Sequence, residues 1–254
     1  MINIIMHGCN GNMGQVIAKL VAQDDSVRIV AGIDPNVSAP NSYPVFPRAD
    51  ECSVDADVII DFSTAKAVRP LLEFAYSKNI PVIVCTTGLY DDDVSYIKEI
   101  SSSLPIFFSA NMSLGVNLLI GLAKRATEIL TDAGFDIEII EKHHNQKIDA
   151  PSGTALAIAD GINDVLDHQY VYQLNRSAVR EKRAKKEIGI HAIRGGTIVG
   201  EHDVMFAGQD EIITLSHRAT SKEVFAVGAL KAAKFMDQKS NTPGLYNMEH
   251  LIDS

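Results

Sequence analysis

The sequence predicts an α/β protein, a Rossmann-type doubly wound parallel sheet joined to a second α+β domain with an open mixed sheet. Three observations carry this. Short β-branched runs alternate with longer helical stretches over roughly the first 110 residues. A glycine-rich loop follows the first run and opens the first helix. Beyond Asn111 the alternation gives way to several strand-like runs in succession.

Taken in order, Ile2 to Met6, Val27 to Ile33, Asp57 to Asp61, Pro81 to Cys85 and Pro105 to Ser109 read as strands. They are almost continuously apolar, as strands covered on both faces must be. Gly11 to Gln23, Thr64 to Ser77 and Asp91 to Ser103 read as the crossover helices between them. A helix from about Gly115 to Thr131 then leads into a strand at Phe135 to Glu141, and a second helix starts at Gly153. Ile188 to Ile193, Thr197 to Val199, His202 to Ala207 and Glu211 to Ser216 read as sequential strands joined by short turns, among them Arg194-Gly195-Gly196. The last amphipathic helix, Ser221 to Met236, is expected to return to the first domain. The expected division is therefore 1–112 with 222–254 as a dinucleotide-binding domain, and 113–221 as a substrate-binding and oligomerisation domain.

The 254 residues are 46% hydrophobic, enough for real cores, yet no apolar run approaches the length of a membrane span. A membrane partner is not expected, and the cytoplasm is the expected location. Cys9, Cys52 and Cys85 are odd in number and lack metal-type spacing, so neither a disulfide framework nor a metal site is indicated. A formal charge of −9 argues against nucleic acid as a partner. The basic run from Arg176 to Lys186 is a local exception, read chiefly as a solvated face.

Gly8-Cys9-Asn10-Gly11-Asn12-Met13-Gly14 lies at the first strand-to-helix turn. A dinucleotide pyrophosphate needs N–H donors at a helix N-terminus and no Cβ in the way, and glycines here supply both. Its G-x-x-G-x-x-G spacing is less specific than G-x-G-x-x-G, but Asp34 ends the second strand 20 residues after Gly14, where a ribose diol would be held. A carboxylate there repels a 2′-phosphate, and Pro35 and Asn36 bring no cation. NADH is therefore expected to serve at least as well as NADPH. Thr86-Thr87-Gly88 and Ser109-Ala110-Asn111-Met112 sit at further strand C-termini, where open α/β sheets bind ligands.

The densest chemistry lies in Glu141-Lys142-His143-His144-Asn145-Gln146-Lys147-Ile148-Asp149-Ala150-Pro151-Ser152-Gly153-Thr154. Two histidines and a lysine offer proton transfer and positive charge, and the N–H groups of Ser152, Gly153 and Thr154 at a helix start form an anion seat. Together they suit a carboxylate-bearing substrate. Taken alone, the histidine pair would be surface or capping residues, and as a metal site it lacks further ligands.

This run resembles the H-H-x-x-K-x-D-A-P-S-G-T-A signature of the 4-hydroxy-tetrahydrodipicolinate reductases. The likeness extends through the glycine loop, Cys85-Thr86-Thr87-Gly88, Ala110 to Asn117, Arg194 to His202 and Gly244 to Met248. It implies a NAD(P)H-dependent reduction of a small cyclic dicarboxylate on the route to diaminopimelate and lysine, in a homotetramer built through the second domain's sheet. By position it makes His143 the catalytic acid/base, Lys147 the proton donor and His144 a substrate contact. Gly153 and Thr154 would hold one carboxylate. Gly8 to Met13 would hold the pyrophosphate, Asp34 the adenosine ribose, and Cys85 to Thr87 with Ser109 to Met112 the nicotinamide half. Many relatives carry basic residues where this chain has Asn12 and Pro35, which further disfavours a bound 2′-phosphate. Arg194 is a candidate for the second carboxylate, although Arg-Gly-Gly is equally an ordinary turn. Domain closure over bound substrate is expected. The competing readings are a non-catalytic dinucleotide sensor and another Rossmann dehydrogenase of amino or keto acids.

Overall fold

Uninterrupted apolar runs become the central strands of a seven-stranded sheet. These are β1 (Ile2–His7), β2 (Val27–Ile33), a two-residue β3 (Val45–Phe46), β4 (Val58–Asp61), β5 (Val82–Val84) and β6 (Pro105–Phe108). The computed structural model describes residues 1–254 as two compact units, Met1–Leu114 with Glu223–Ser254, and Gly115–Lys222.

In the first unit α1 (Asn12–Val21), α2 (Ala65–Lys78) and α3 (Asp91–Ile100) alternate with these strands. Three aspartates fill the first turn of α3, where they complement the helix dipole. Asn79 adopts φ 53° to close α2, a left-handed position that asparagine tolerates. Every strand pair is parallel. The order is β12-β6-β5-β4-β1-β2-β3, in which β12 (Gly244–Tyr246) is a late edge strand. Because side chains alternate across a strand, Ile4 and Met6 point into one core while Ile5 points into another. The first core is closed by α1 and by α6 (Glu223–Asp237), the second by α2 and α3. Helix α6 thus belongs to the unit in which the chain begins. A Cβ on Gly228 of α6 would come 1.6 Å from the Met112 carbonyl, so only glycine allows α6 to lie this close.

The second unit contains α4 (Leu114–Leu130, which starts at the unit boundary), β7 (Asp136–His143), α5 (Gly153–Asp164), β8 (Val171–Gln173), β9 (Glu187–Arg194), β10 (Gly200–Ala207) and β11 (Ile212–Ala219). Its sheet runs β11-β10-β7-β9-β8, antiparallel through β11, β10 and β7 and parallel through β7, β9 and β8. Alternate residues of β7 and β10, including Ile137, Ile139, Val204 and Phe206, pack with Leu119, Ile158 and Ile162 of α4 and α5. The opposite face carries ion pairs, Lys142 with Glu201 (3.2 Å) and Asp203 (3.1 Å), and Arg183 with Asp136 (2.8 Å) and Glu138 (2.9 Å).

Two sequence expectations change here. Thr197 to Val199 is not a strand. β9 and β10 are separated by β7, so the chain must pass over the end of that strand, and residues making the passage cannot also join the ladder. The basic run is only partly a solvated face: Arg176 pairs with Glu187, and Arg183 is built into the sheet, donating also to the Ile137 and Glu187 carbonyls.

Candidate active site

In the first unit the sheet order reverses direction at β1 and β4, and the crevice beyond their carboxyl ends is the switch point of an open α/β sheet. Gly8 leaves β1 with φ 77°, and a Cβ there would lie 2.3 Å from the Phe62 carbonyl oxygen. A Cβ on Gly14 would lie 2.3 Å from the Gly8 oxygen. Gly11 starts α1 and offers no side-chain cap, so the helix N-terminus keeps its donors for a ligand. The glycines thus leave an open backbone loop at the start of α1. Asn12 is exposed and Met13 half-buried at its rim.

Cys9 contributes backbone alone, since its thiol is buried beneath Gly32, and burial with the Asp34 charge pushes its pKa up to about 11. The Asn10 N–H donates to Asp34 Oδ2 at 3.0 Å, while the Asn36 N–H donates to Oδ1 at 2.9 Å. Both carboxylate oxygens of Asp34 are thereby held by backbone donors. A cleft of about 1060 Å³ opens beside it, lined among others by Gly8, Gly11, Asp34, Arg48 and Thr64. Arg48 is ion-paired with Asp50 and lies 3.8 Å from Glu51.

Cys85 is buried, Thr87 is exposed, and Thr86 accepts the Ser63 N–H at 2.9 Å, so the loop after β5 is tied to the loop after β4. After β6, Ser109 Oγ donates to the Asn111 carbonyl at 2.9 Å; Ala110 is exposed and Met112 buried. Beneath the glycine loop lies a pair the sequence reading did not single out. His7 Nδ1 and Asp61 Oδ1 are 2.7 Å apart, and Ser63 Oγ donates to the same oxygen at 2.6 Å. An acid ending the apolar run Val58–Asp61 was the available signal.

The second unit gathers His143, Ser152, Arg194 and His202 around Glu141, whose carboxylate is wholly buried. Residues 141 and 143 share a face of β7 because strand side chains alternate. Glu141 Oε2 lies 2.6 Å from His143 Nδ1 and accepts from Arg194 at 2.7 Å. Its Oε1 accepts from Arg194 at 2.7 Å and from the Ser152 N–H at 2.9 Å. Burial pushes this carboxyl up, but the bonds from Arg194, His143 and Ser152 outweigh it and hold it below the ordinary carboxylate range. His202 packs edge-on against His143 with centroids 5.2 Å apart, and burial, reinforced by that neighbour, pushes its pKa down to about 4.

Two expectations are corrected at this point. Arg194 is not free for a substrate carboxylate, because both of its terminal nitrogens donate to Glu141 and also to the Ile193 and Asp149 carbonyls. The Ser152 N–H is likewise committed to Glu141, and its hydroxyl caps α5 through the Ala155 N–H and lies 3.2 Å from His202 Nε2. The other two residues of the expected anion seat are exposed Gly153 and half-buried Thr154, and the Lys147 ammonium holds the nearby Asp149 carboxyl below the ordinary carboxylate range. Lys147 Nζ lies 2.8 Å from Asp149 Oδ1, and His144 is half-buried beside them in the chain. No group of three or more histidine, cysteine or acidic side chains is arranged to hold a metal ion.

Residues 2–112 match the family described as dihydrodipicolinate reductase, N-terminus, and residues 115–252 match its C-terminus. The chain belongs to the dihydrodipicolinate reductase family. A 4-hydroxy-tetrahydrodipicolinate reductase of Caldanaerobacter subterraneus subsp. tengcongensis is 54% identical over 252 residues, covering 99% of this chain and 98% of that one. The reductase of the same name from Clostridium novyi is 48% identical over 254 residues, covering 100% and 99%. Among solved structures, the dipicolinate-bound dihydrodipicolinate reductase of Paenisporosarcina sp. TG-14 superposes with a TM-score of 0.79 at 26% identity, covering 97% of each chain. Within this dihydrodipicolinate reductase family chain, then, the glycine cradle lies in the N-terminal match and the His143–Glu141 cluster in the C-terminal match.

Proposed function

We propose that this chain reduces 4-hydroxy-2,3,4,5-tetrahydrodipicolinate to 2,3,4,5-tetrahydrodipicolinate and water with a nicotinamide dinucleotide, in diaminopimelate and lysine biosynthesis. The observation that carries this is the presence, in one chain that matches both parts of the family, of an uncapped glycine-loop helix and a Glu141–His143 cluster at the end of β7. When bound, the dinucleotide supplies the hydride. The chain's own residues do the rest. Gly8 to Met13 offer backbone donors to the pyrophosphate, Asp34 receives the ribose diol, and the loops at 85–87 and 109–112 border the nicotinamide half. Lys147, with the Gly153 and Thr154 N–H groups, holds a substrate carboxylate, which requires Asp149 to yield Lys147 to the ligand. His144 adds a substrate contact. His143 and Lys147 handle the protons accompanying loss of the ring hydroxyl as water and formation of the new C–H bond.

NADH is expected to be used at least as well as NADPH. Asp34 is an anion where a 2′-phosphate would sit, and Arg48, a cation in the same cleft, is engaged by Asp50. We place the enzyme in the cytoplasm as a homotetramer assembled through the second unit's sheet; no helix is long and apolar enough to cross a membrane. Sedimentation velocity tests the assembly.

The decisive experiment follows NADH oxidation with substrate generated in place from pyruvate and aspartate semialdehyde, with simple keto acids as controls. Turnover confined to the cyclic dicarboxylate is expected, and turnover of keto acids instead would refute the reading. Lys147→Ala is expected to lower kcat by about 10²-fold or more while NADH binding changes little; near-normal turnover removes Lys147 from the mechanism.

A further inference from the structure

We infer that Glu141 is the positioning residue of the acid/base histidine: its buried carboxylate turns the Nδ1–H of His143 inward and leaves Nε2 as the one nitrogen able to meet substrate, with Arg194 as the brace. The inference rests on the reading of His143 as the proton-transferring group.

The argument is one of donors and acceptors. Four bonds converge on the two oxygens of Glu141, from His143, twice from Arg194, and from the Ser152 N–H. Arginine and a backbone amide only donate, so three of the four places demand an acceptor. A protonated carboxyl could meet all four only by turning its hydrogen from Oε2 to a bare Nδ1, and the Arg194 guanidinium, 2.7 Å from both oxygens, opposes this by holding the carboxyl below its ordinary range. The ionised form satisfies them all, and a carboxylate accepts only, so His143 Nδ1 at 2.6 Å must carry a hydrogen. This holds whether the ring is neutral or cationic. Proton exchange with substrate is then confined to Nε2.

The surroundings of Nε2 agree. Its near neighbour is Gly200, where even a methyl group would lie 3.1 Å from Nε2, a tight contact that glycine avoids. The array is assembled from separate elements. Glu141 and His143 lie on β7, Arg194 comes from β9, where it stands in register with His143, and Ser152 comes from the start of α5. His202, opposite Glu141 on β10, buttresses the imidazole edge-on. One carboxylate therefore ties the histidine to the neighbouring strand and to the helix that carries the carboxylate seat. An ion pair kept only for stability would not need the histidine as third partner, since buried pairs are commonly replaceable by apolar packing.

Nitrogen-15 spectra of labelled His143 in the full-length enzyme test this at alkaline pH, where imidazole is neutral. The wild type is expected to show a protonated Nδ1 and a bare Nε2. In Glu141→Gln the amide offers one acceptor oxygen where three or four donors compete. The Nε2–H tautomer should become populated, and kcat should fall about 10- to 100-fold, as when carboxylates orienting functional histidines are removed. KM for NADH should stay within about twofold, since the cofactor-binding residues proposed above lie in the other unit. An Nε2–H tautomer in the wild type overturns the proposal, and that measurement decides even where the variant fails to fold. So does a folded variant with near-normal kcat, or one whose kcat falls with the tautomer unchanged. Full turnover in His143→Asn would instead remove the reading of His143 on which the inference rests.

Discussion

Replacing Asp34 with alanine should invert the coenzyme preference, and the size of the effect follows from the geometry at the end of β2. Each carboxylate oxygen of Asp34 already takes one backbone N–H, from Asn10 and from Asn36, which leaves one lone-pair direction on each for a ribose hydroxyl. Hydrogen bonds to a charged acceptor are worth about 1.5–3 kcal/mol each in sheltered sites. Asp34 is half-exposed, so a combined loss of about 2–3 kcal/mol is the reasonable figure for NADH, a fall of about 30- to 150-fold in kcat/KM. For NADPH the same change removes repulsion between a carboxylate and a phosphate. Unit charges 4 Å apart interact by about 1 kcal/mol in water and about 4 kcal/mol near a protein surface. A relief of about 1–2 kcal/mol is expected at this open edge, a gain of about 5- to 30-fold. The ratio of the two specificity constants should thus move by about 150- to 4500-fold, and the NADPH gain should shrink at high salt. Steady-state kinetics with both coenzymes at two ionic strengths measure it. If both constants fall by the same factor, Asp34 is not at the ribose.

Two further outcomes can be checked on stability and binding. Gly14→Ala would place a methyl group 2.3 Å from the Gly8 oxygen and 2.6 Å from the Cys9 oxygen, both main-chain atoms of the glycine loop. The loop has to shift, with a loss of about 2 kcal/mol or more and of NADH binding; thermal unfolding and NADH fluorescence titration read both, and unaltered affinity would show that the loop is not the cradle. His202 is neutral when folded, with a pKa pushed by burial from the usual 6.5 to about 4, whereas the unfolded chain takes up its proton near the usual value. Between those values the unfolded state binds more protons, so stability from this residue is full above about pH 6.5, declines by about 3 kcal/mol as pH falls to about 4, and changes no further below. Urea unfolding of wild type and His202→Gln across that window should show a shallower pH dependence in the variant; parallel curves would refute the assignment.

The glycine loop was legible in one dimension because its logic is local. Gly8, Gly11 and Gly14 are close neighbours in the chain, and the run Ile2–His7 that precedes them announces a buried parallel strand. Asp34 follows from the next strand. The second unit is different. Glu141 stood inside the stretch that attracted notice, but its weight depends on Arg194 and His202, more than 50 residues away and delivered by sheet register. Ser152 was read as ligand-facing, and Arg194 as either a ligand contact or part of an ordinary turn, because spacing reports residue type and neighbourhood, not the direction in which a side chain's bonds are spent. Thr197 to Val199 was read as a strand because local propensity cannot know that β7 separates β9 from β10.

The sequence by itself determined the fold class, the glycine loop with its acid, the histidine and lysine run, and the family, since these are properties of contiguous residues and of strand and helix periodicity. Only the tertiary structure decided which polar groups remain available. Hydrogen bonds saturate, each donor and acceptor can be used only a limited number of times, and Glu141 claims the Arg194 fork, the Ser152 N–H and His143 Nδ1 once the strands are laid side by side.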